Sequence, residues 1–308
     1  MHLPFLYNEF IQEEKLAAFV TLLRRYNIAL KEAQKIIDLG RMLCNGEVVQ
    51  IKNKKLSGKI SVLEFQPQSK GLEPIFTTPH FLLFDKPSGL LVHPKNTQTP
   101  YSLLDEIRYF GGAAANPVHR IDMETSGLVL ASKNKTTENF FKVAFEQKQI
   151  QKSYLAWVRG NFKEHMIVNE PIKIRNDYTD SKHKVEINEK GKEAKTEFKK
   201  LLYDAKRDIS LIEAIPHTGR THQIRIHLFH VKHPILGDPL YGTDFDFANR
   251  YLDGLVDEQE RIKKSGAKRL LLHANKISFD FKDNRYILKS RVNFKEELKK
   301  ALYPLPLG

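Results

Sequence analysis

An α+β fold is predicted: a larger second domain built on a mixed, largely antiparallel sheet with flanking helices, preceded by a small N-terminal α/β module. Three observations carry this expectation. Two helical patterns followed by an Asn-Gly hairpin signal open the chain. A polar Pro/Gly segment follows at 67–74. Beyond it, strand-like runs do not alternate regularly with helical stretches, which disfavours a doubly wound parallel sheet.

Taken in order, Phe10, Leu16, Phe19, Val20 and Leu23 recur at helical spacing and predict a first helix. Ala33, Ile36 and Ile37 predict a second, stopped by Gly40 as a C-cap. Met42-Leu43-Cys44, the turn pair Asn45-Gly46 and Glu47-Val48-Val49 then read as a hairpin. Lys31 and Lys35 lie one helical turn apart on one face, with Arg41 just beyond. A solvated helix face is the plain reading, and a compact RNA-binding unit is its rival. Residues 1–66 are therefore assigned to the module, 67–75 to a linker and 76–308 to the second domain. In that domain strands are expected at 81–84, 128–131, 154–158, 209–214 and 276–281, and helices at 137–148 and 221–231. The polar stretch 244–268 reads as a peripheral, partly helical insertion.

The 308 residues are 41% hydrophobic and 28% charged, ordinary for a globular chain with a sizeable core. The net charge of +13 is not ordinary and implies a polyanionic partner, a membrane surface or acidic ligands, a solvated basic surface being the plain reading. With Cys44 as the single cysteine, an intrachain disulfide and a thiolate zinc cluster are both excluded, which fits a reducing cytoplasm. The first fifteen residues lack a basic region followed by an apolar one, so no secretory signal is read there. The apolar runs are too short to cross a bilayer. The charge is therefore expected to meet nucleic acid rather than membrane.

Three segments could carry chemistry. In Asp85-Lys86-Pro87-Ser88-Gly89-Leu90, Pro and Gly break a strand into a turn, a weak signal alone. In the second, His119, Arg120, Asp122, Glu124, Thr125 and Ser126 crowd directly before an apolar strand. A surface loop with an Asx turn, or an ordinary ion pair of Asp122 with Arg120, would also account for that composition. In the third, from Pro216 to Leu228, Gly219 permits a tight turn and Thr221 can cap a helix. Arg220 and Arg225 then fall near the helix start, where a cation opposes the dipole and needs an anion. His217, His222, His227, His230 and His233 invite a metal reading, but their spacing does not converge three ligands. No phosphate-binding loop or dinucleotide fingerprint is present. A hydrolase relay of Ser126, His119 and Asp122 is too crowded in sequence and lacks a nucleophile elbow.

In their order, Lys86-Pro87-Ser88-Gly89-Leu90, His119-Arg120-Ile121-Asp122 with Thr125-Ser126-Gly127-Leu128, and Thr218 through His227 resemble motifs I, II and III of RluA-type pseudouridine synthases. Lys152-Ser153-Tyr154-Leu155-Ala156 resembles the strand that bears the active-site tyrosine, and 233–242 the segment after motif III. The N-terminal stretch from Lys15 to Phe65 resembles the S4-type RNA-binding domain through 33–37, Gly40-Arg41 and 45–49.

The resemblance implies an isomerase that moves uracil from an N1 to a C5 link with ribose, without cofactor or metal, after flipping the nucleotide out of its RNA. Asp122 would be the nucleophile, attack on C1′ and removal of the C2′ proton both remaining open. Arg225 would keep it ionised, Tyr154 would stack on the base and assist proton removal from C5, and Arg120 would enter the gap the base leaves. His119, Thr125, Arg220, His222, Ile224 and Lys86 are further substrate contacts, with Leu272 beside Ile224 in the pocket wall. Lys31, Lys35 and Arg41 would serve the N-terminal module. The expected partner of a cytoplasmic monomer is ribosomal RNA of the large subunit, with transfer RNA the alternative and no membrane. The rivals are a non-catalytic RNA binder and a hydrolase using Asp122 and Glu124. A binder has no need of Asp122, Tyr154 and Arg225 together.

Overall fold

The computed structural model describes residues 3–175 and 185–302. The chain divides into two compact units, Met1–Lys70 with Pro94–Asp105, and Gly71–His93 with Glu106–Gly308. Segment 94–105 thus belongs with the N-terminal unit, although its sequence position lies inside the expected second domain.

The first unit runs β1 (Phe5–Ala17), α1 (Ala18–Tyr26), α2 (Leu30–Asp38), β2 (Met42–Cys44), β3 (Glu47–Val48) and β4 (Lys55–Phe65). Its sheet has the order β1-β4-β2-β3. The expected first helix starts too early: Phe10 and Leu16 lie in β1, paired with Ile60 and Leu56, and only Phe19, Val20 and Leu23 are helical. From Leu6 to Gln12 the burial alternates residue by residue, the period of a strand with one face covered. The sequence does not show that alternation, since Asn8 and Gln12 face inward and Tyr7 and Ile11 outward. Ala18 and Leu22 of α1, Ala33 and Ile37 of α2, and Ile60 and Val62 of β4 form the core. Asn45 and Gly46 both have positive φ, 50° and 87°, the primed turn that matches strand twist in a two-residue hairpin. Lys31 and Lys35 are exposed on α2, and the Arg41 guanidinium lies 5.2 Å from the Phe5 ring centre.

The second unit contains β5 (Phe76–Thr77), β6 (Phe81–Lys86), α3 (Leu103–Gly111, which begins in the first unit), β7 (Asn116–Pro117), β8 (Ser126–Ser132), α4 (Lys135–Glu146) and β9 (Gln151–Arg159). It continues with β10 (His165–Asn169), β11 (Ile172–Ile174), β12 (Val185–Ile187), β13 (Lys195–Asp204), β14 (Ile209–Pro216), α5 (Gln223–His230), α6 (Phe245–Leu252) and α7 (Glu258–Ser265). It closes with β15 (Leu272–Phe281), β16 (Asn284–Lys289) and α8 (Phe294–Ala301). The main sheet has the order β10-β13-β14-β9-β15-β8-β6-β5, with β16 on β15 and β7 on β8. Among the described residues, β15 with β8 is its one parallel pairing. The fold is therefore the α+β class with a mixed, largely antiparallel sheet. Strand β8 is buried at every position, which explains its unbroken apolar run. The Phe141 ring of α4 meets Phe81, Phe279 and Phe281 at 5.7, 5.1 and 5.3 Å, fixing that helix to the sheet. A second core gathers Trp157, Phe162, Phe198, Ile212, Leu228 and Leu271.

The parallel seam depends on Gly127. Its φ is +109°, and a Cβ there would stand 2.3 Å from the Ala274 carbonyl oxygen and 2.5 Å from the Ala274 nitrogen. Gly127→Ala is expected to cost roughly 3 kcal/mol by prying β15 from β8. A lowered thermal midpoint checks this, and an unchanged midpoint would mean the seam tolerates a methyl group.

Candidate active site

The loop before β8, strand β9, the turn into α5 and the start of β15 converge on one open pocket of ≈ 100 Å³. Asp122, Tyr154, Arg225, Arg120, Thr125, Arg220, His222, Ile224 and Leu272 all line it, gathered from four stretches of sequence. Lys86, His119 and the basic residues of the first unit do not.

Arg225 is the third residue of α5 and is 2% exposed. Its Nε and Nη2 each donate to an Asp238 carboxylate oxygen at 2.8 Å, while Nη1 donates to Asp122 Oδ2 at 3.3 Å. One planar cation thus holds two carboxylates, a geometry suited to its fork. Burial opposes the charge of Arg225, but Asp238 and then Asp122 hold its pKa above the ordinary arginine value. Asp238 is buried, and it also accepts from the backbone N–H of Leu240 and Tyr241 at 2.9 and 3.1 Å. Burial pushes its carboxyl up, and Arg225 with these N–H groups overcomes that, leaving the pKa below the usual carboxylate range. Asp122 differs from Asp238 in access: its side chain is 28% exposed and faces the pocket. His222 Nε2 lies 3.9 Å from Asp122 Oδ2, and His222 Nδ1 pairs with the Tyr241 hydroxyl at 3.0 Å. Burial and the charge of Asp122 push the Tyr154 hydroxyl pKa upward, so it stays protonated.

The helix start differs from its expected form. Thr221 does not cap α5; His222 occupies the N-cap position at φ +53° without a side-chain cap. Gln223 staples the turn instead. Its Oε1 accepts from Thr218 Oγ1 at 2.7 Å and from Arg220 N–H at 3.0 Å, and its Nε2 donates to the Lys195 carbonyl and Thr196 Oγ1, both at 3.0 Å. Arg220 is exposed and donates from Nε to the Glu193 carbonyl at 3.0 Å.

Two expected substrate contacts prove to be internal braces. Lys86 is 0% exposed, and its Nζ donates to the carbonyls of Pro87, Leu90 and Met123 at 2.9, 2.8 and 3.0 Å. Three carbonyls use all three N–H groups, so none is left for a substrate. His119 Nε2 accepts from the Leu130 N–H at 3.0 Å, and burial, with the nearby charge of Lys152, pushes its pKa to about 3. Motif I as a whole holds the Asp122 loop: Ser88 Oγ donates to the Glu124 carbonyl at 2.6 Å and Gly89 N–H to the Met123 carbonyl at 2.9 Å. Ser126, from the discarded hydrolase relay, faces His273 Nδ1 at 3.0 Å rather than His119. His227 engages Thr196 Oγ1 at 2.9 Å and the Glu170 carbonyl at 3.0 Å.

Sequence reasoning named Asp238 and Tyr241 only as parts of a motif and gave them no role. The requirement that Arg225 meet an anion was the available signal, and it was answered with Asp122 alone. Lys152 was likewise missed: it lies two residues before Tyr154, on the same strand face, lines the pocket, and has its pKa lowered by burial. The insertion at 244–268 is also less peripheral than expected, since Phe247 and Ala248 are buried and Tyr251 and Arg261 reach Glu124.

A family model described as RNA pseudouridylate synthase matches residues 80–230. The chain is 36% identical to an uncharacterized RNA pseudouridine synthase of Helicobacter pylori (strain J99) over 94% of this chain and 96% of that protein. It is 30% identical to the ribosomal large subunit pseudouridine synthase C of Haemophilus influenzae, over 85% of this chain and 79% of that one. It is 35% identical to the tRNA pseudouridine synthase C of the same organism, over 68% and 87%. Among solved structures, human RNA pseudouridylate synthase domain containing 1 shares the fold at a TM-score of 0.58 and 22% identity, covering 78% of this chain and 94% of that one.

Proposed function

This chain belongs to the RNA pseudouridylate synthase family, and from that premise we propose that its pocket isomerises a flipped-out uridine with Asp122 as nucleophile. The observation that carries the reading is a carboxylate at the pocket surface, 3.3 Å from Arg225 Nη1, while that guanidinium is locked to Asp238 at 2.8 Å on its other edge. The cation cannot swing away with the reacting group, so the carboxylate stays paired and oriented.

In the isomerisation the N1–C1′ bond breaks, a C5–C1′ bond forms, C5 loses its proton and N1 regains one. Atoms balance without an oxidant or reductant. Asp122 either bonds to C1′ as N1 leaves and is displaced from C1′ when C5 attacks, or takes the C2′ proton as N1 leaves and returns it when C5–C1′ forms; both routes regenerate the carboxylate. Ile224 and Leu272, 7% and 3% exposed, form an apolar wall for the base, and Tyr154 stacks against it with its hydroxyl near the proton to be removed from C5. Arg120, exposed beside Asp122, enters the space the base vacates. Lys152 and Arg220 line the same pocket as cations for the RNA backbone.

RNA is the substrate, and large-subunit ribosomal RNA is the proposed target, with transfer RNA the alternative. The relative named for the ribosomal large subunit matches 85% of this chain, more than the second unit alone contains, so its likeness reaches the N-terminal unit. That unit acts in this reading as an S4-like RNA-binding module through Lys31, Lys35 and Arg41. Replacing Lys31 and Lys35 together by alanine is expected to flatten the log–log salt dependence of RNA binding by roughly 1.5 units, about 0.7–0.9 for each phosphate no longer neutralised. An unchanged slope would remove that face from the RNA interface.

The function itself is tested by mapping pseudouridine in total RNA from cells with and without the gene. Loss of modification at ribosomal RNA positions is expected. Loss confined to transfer RNA would shift the substrate to the alternative, and an unchanged map in both would defeat the proposal.

A further inference from the structure

We infer that Arg261 is a positioning residue for the reaction, clamping the loop that carries Asp122 to the loop that carries Asp238. The inference rests on the reading of Asp122 and Arg225 given above.

Helices α6 and α7 form a built unit. Asp244 and Asp257 cap them, each accepting from the N–H three residues on at 2.8 Å. Arg250 and Glu260 join them by a bidentate pair at 2.7 and 2.9 Å. From this unit two side chains reach Glu124, which stands two residues after Asp122. The Tyr251 hydroxyl donates to one Glu124 carboxylate oxygen and Arg261 Nη2 donates to the other. Arg261 and Glu124 are both only 12% exposed, and burial raises the Glu124 pKa while Arg261 and Tyr251 more than reverse it. The Arg261 guanidinium also lies 5.1 Å from the Tyr251 ring centre.

The same Arg261 Nη2 donates to the carbonyl of Gly237 at 3.0 Å, directly before Asp238. Helix α7 holds that residue from its other side too, since Gly237 N–H donates to the Ser265 carbonyl at 2.9 Å. Gly237 has φ +74°, and a Cβ on it would stand 1.8 Å from the Arg269 carbonyl oxygen, so its backbone packs directly against that segment. One guanidinium therefore ties the Asp122 loop to a backbone point that is hydrogen-bonded through both its N–H and its carbonyl. The distance it sets is the span that Arg225 bridges between the two aspartates. Arg261 does not line the pocket, so it acts through these residues and not on the substrate.

A small slip between the two loops would separate Asp122 from Arg225 without emptying the pocket. The test is single-turnover pseudouridine formation at saturating enzyme, with the half-saturation for RNA measured separately. Arg261→Ala is expected to lower the rate constant roughly 10- to 100-fold, the cost of a misplacement of about 1 Å at a reacting group, with half-saturation nearly unchanged. Low-millimolar guanidinium should restore part of the rate, which a general loss of stability would not allow. Arg261→Lys, which reaches one acceptor at a time, and Tyr251→Phe, which removes one hydroxyl, should give smaller losses of the same kind. These two also carry the test if the alanine variant fails to fold. Lys264→Ala, which breaks only the exposed pair with Asp244, is the control expected to keep the parental rate. Parental rate constants in folded Arg261→Lys and Tyr251→Phe, or a loss seen wholly in half-saturation, would overturn the clamp. An active Asp122→Asn in the same assay would instead overturn the site reading on which it rests.

Discussion

Asp122→Asn is expected to abolish pseudouridine formation while leaving RNA affinity and folding close to those of the parent. Asparagine keeps the shape of the side chain, and its carbonyl oxygen can still accept from Arg225 Nη1. What it lacks is the anionic oxygen that the proposed nucleophile role requires. Folding should survive because Asp238 already neutralises Arg225 and because the Asp122 side chain is 28% exposed, so no buried cation is orphaned. The loss should be on the order of 10⁴-fold or more, the range for removing a nucleophile. Tritium release from RNA labelled at uridine C5 measures it. Substantial turnover in this variant would take the nucleophile role away from Asp122.

Arg225→Met should be nearly as damaging for a different reason, and it should also destabilise the protein. Methionine fills much of the volume but strands Asp238, a fully buried carboxylate, without its cation. Breaking a buried pair from one side costs about 3–5 kcal/mol, which corresponds to roughly 10 °C in thermal midpoint for a domain of this size. Arg225→Lys should keep charge near Asp238 but cannot hold both carboxylates, so partial stability and low residual activity are expected. The pH dependence discriminates further. The folded pKa of Asp238 is depressed in the parent, so its contribution is present above the unfolded value of about 3.9 and is lost as pH falls through the folded value. In Arg225→Met burial acts on Asp238 with no cation to oppose it, its folded pKa rises above the unfolded value, and protonation stabilises the variant. The gap in midpoint between parent and Arg225→Met should therefore narrow on acidification. A gap independent of pH would mean Asp238 is not the stranded group.

The parts of this architecture that were readable from sequence are those whose cause is local. Strands β6 and β8 show as unbroken apolar runs because both their faces are covered. The Asn45-Gly46 turn is readable because only residues tolerant of positive φ serve there. Strand β1 was not, because Phe10 and Leu16 fit a helical spacing as well as a strand's, and only pairing with β4 decides. In the site, the polar cluster at 119–126 and the arginine at a helix start pointed to the pocket. The partner of that arginine did not, since Asp238 follows by thirteen positions in a loop whose path no local rule predicts. Lys86 was expected to touch substrate because its segment resembles motif I, and only the three carbonyls around it reveal a brace. The insertion at 244–268 looked peripheral because its composition is mostly polar and charged, and its ties to the site, Arg261 and Tyr251 on Glu124, are themselves polar.

The position of β15 bears on how the protein comes off the ribosome. In the sheet it lies between β9 and β8, joining the strands β10, β13, β14 and β9 to the strands β8, β6 and β5. Tyr154 sits in β9, Asp122 shortly precedes β8, and Leu272 of β15 is the wall between them. Both flanking groups of strands are therefore synthesised before the strand that unites them. A nascent chain that has emerged only as far as α7 carries the reacting residues on two sheet fragments with exposed edges, open to pairing with other chains. The pocket wall is complete only once β15 lies between β9 and β8, so catalysis, as distinct from RNA binding by the first unit, is expected only after that strand has paired.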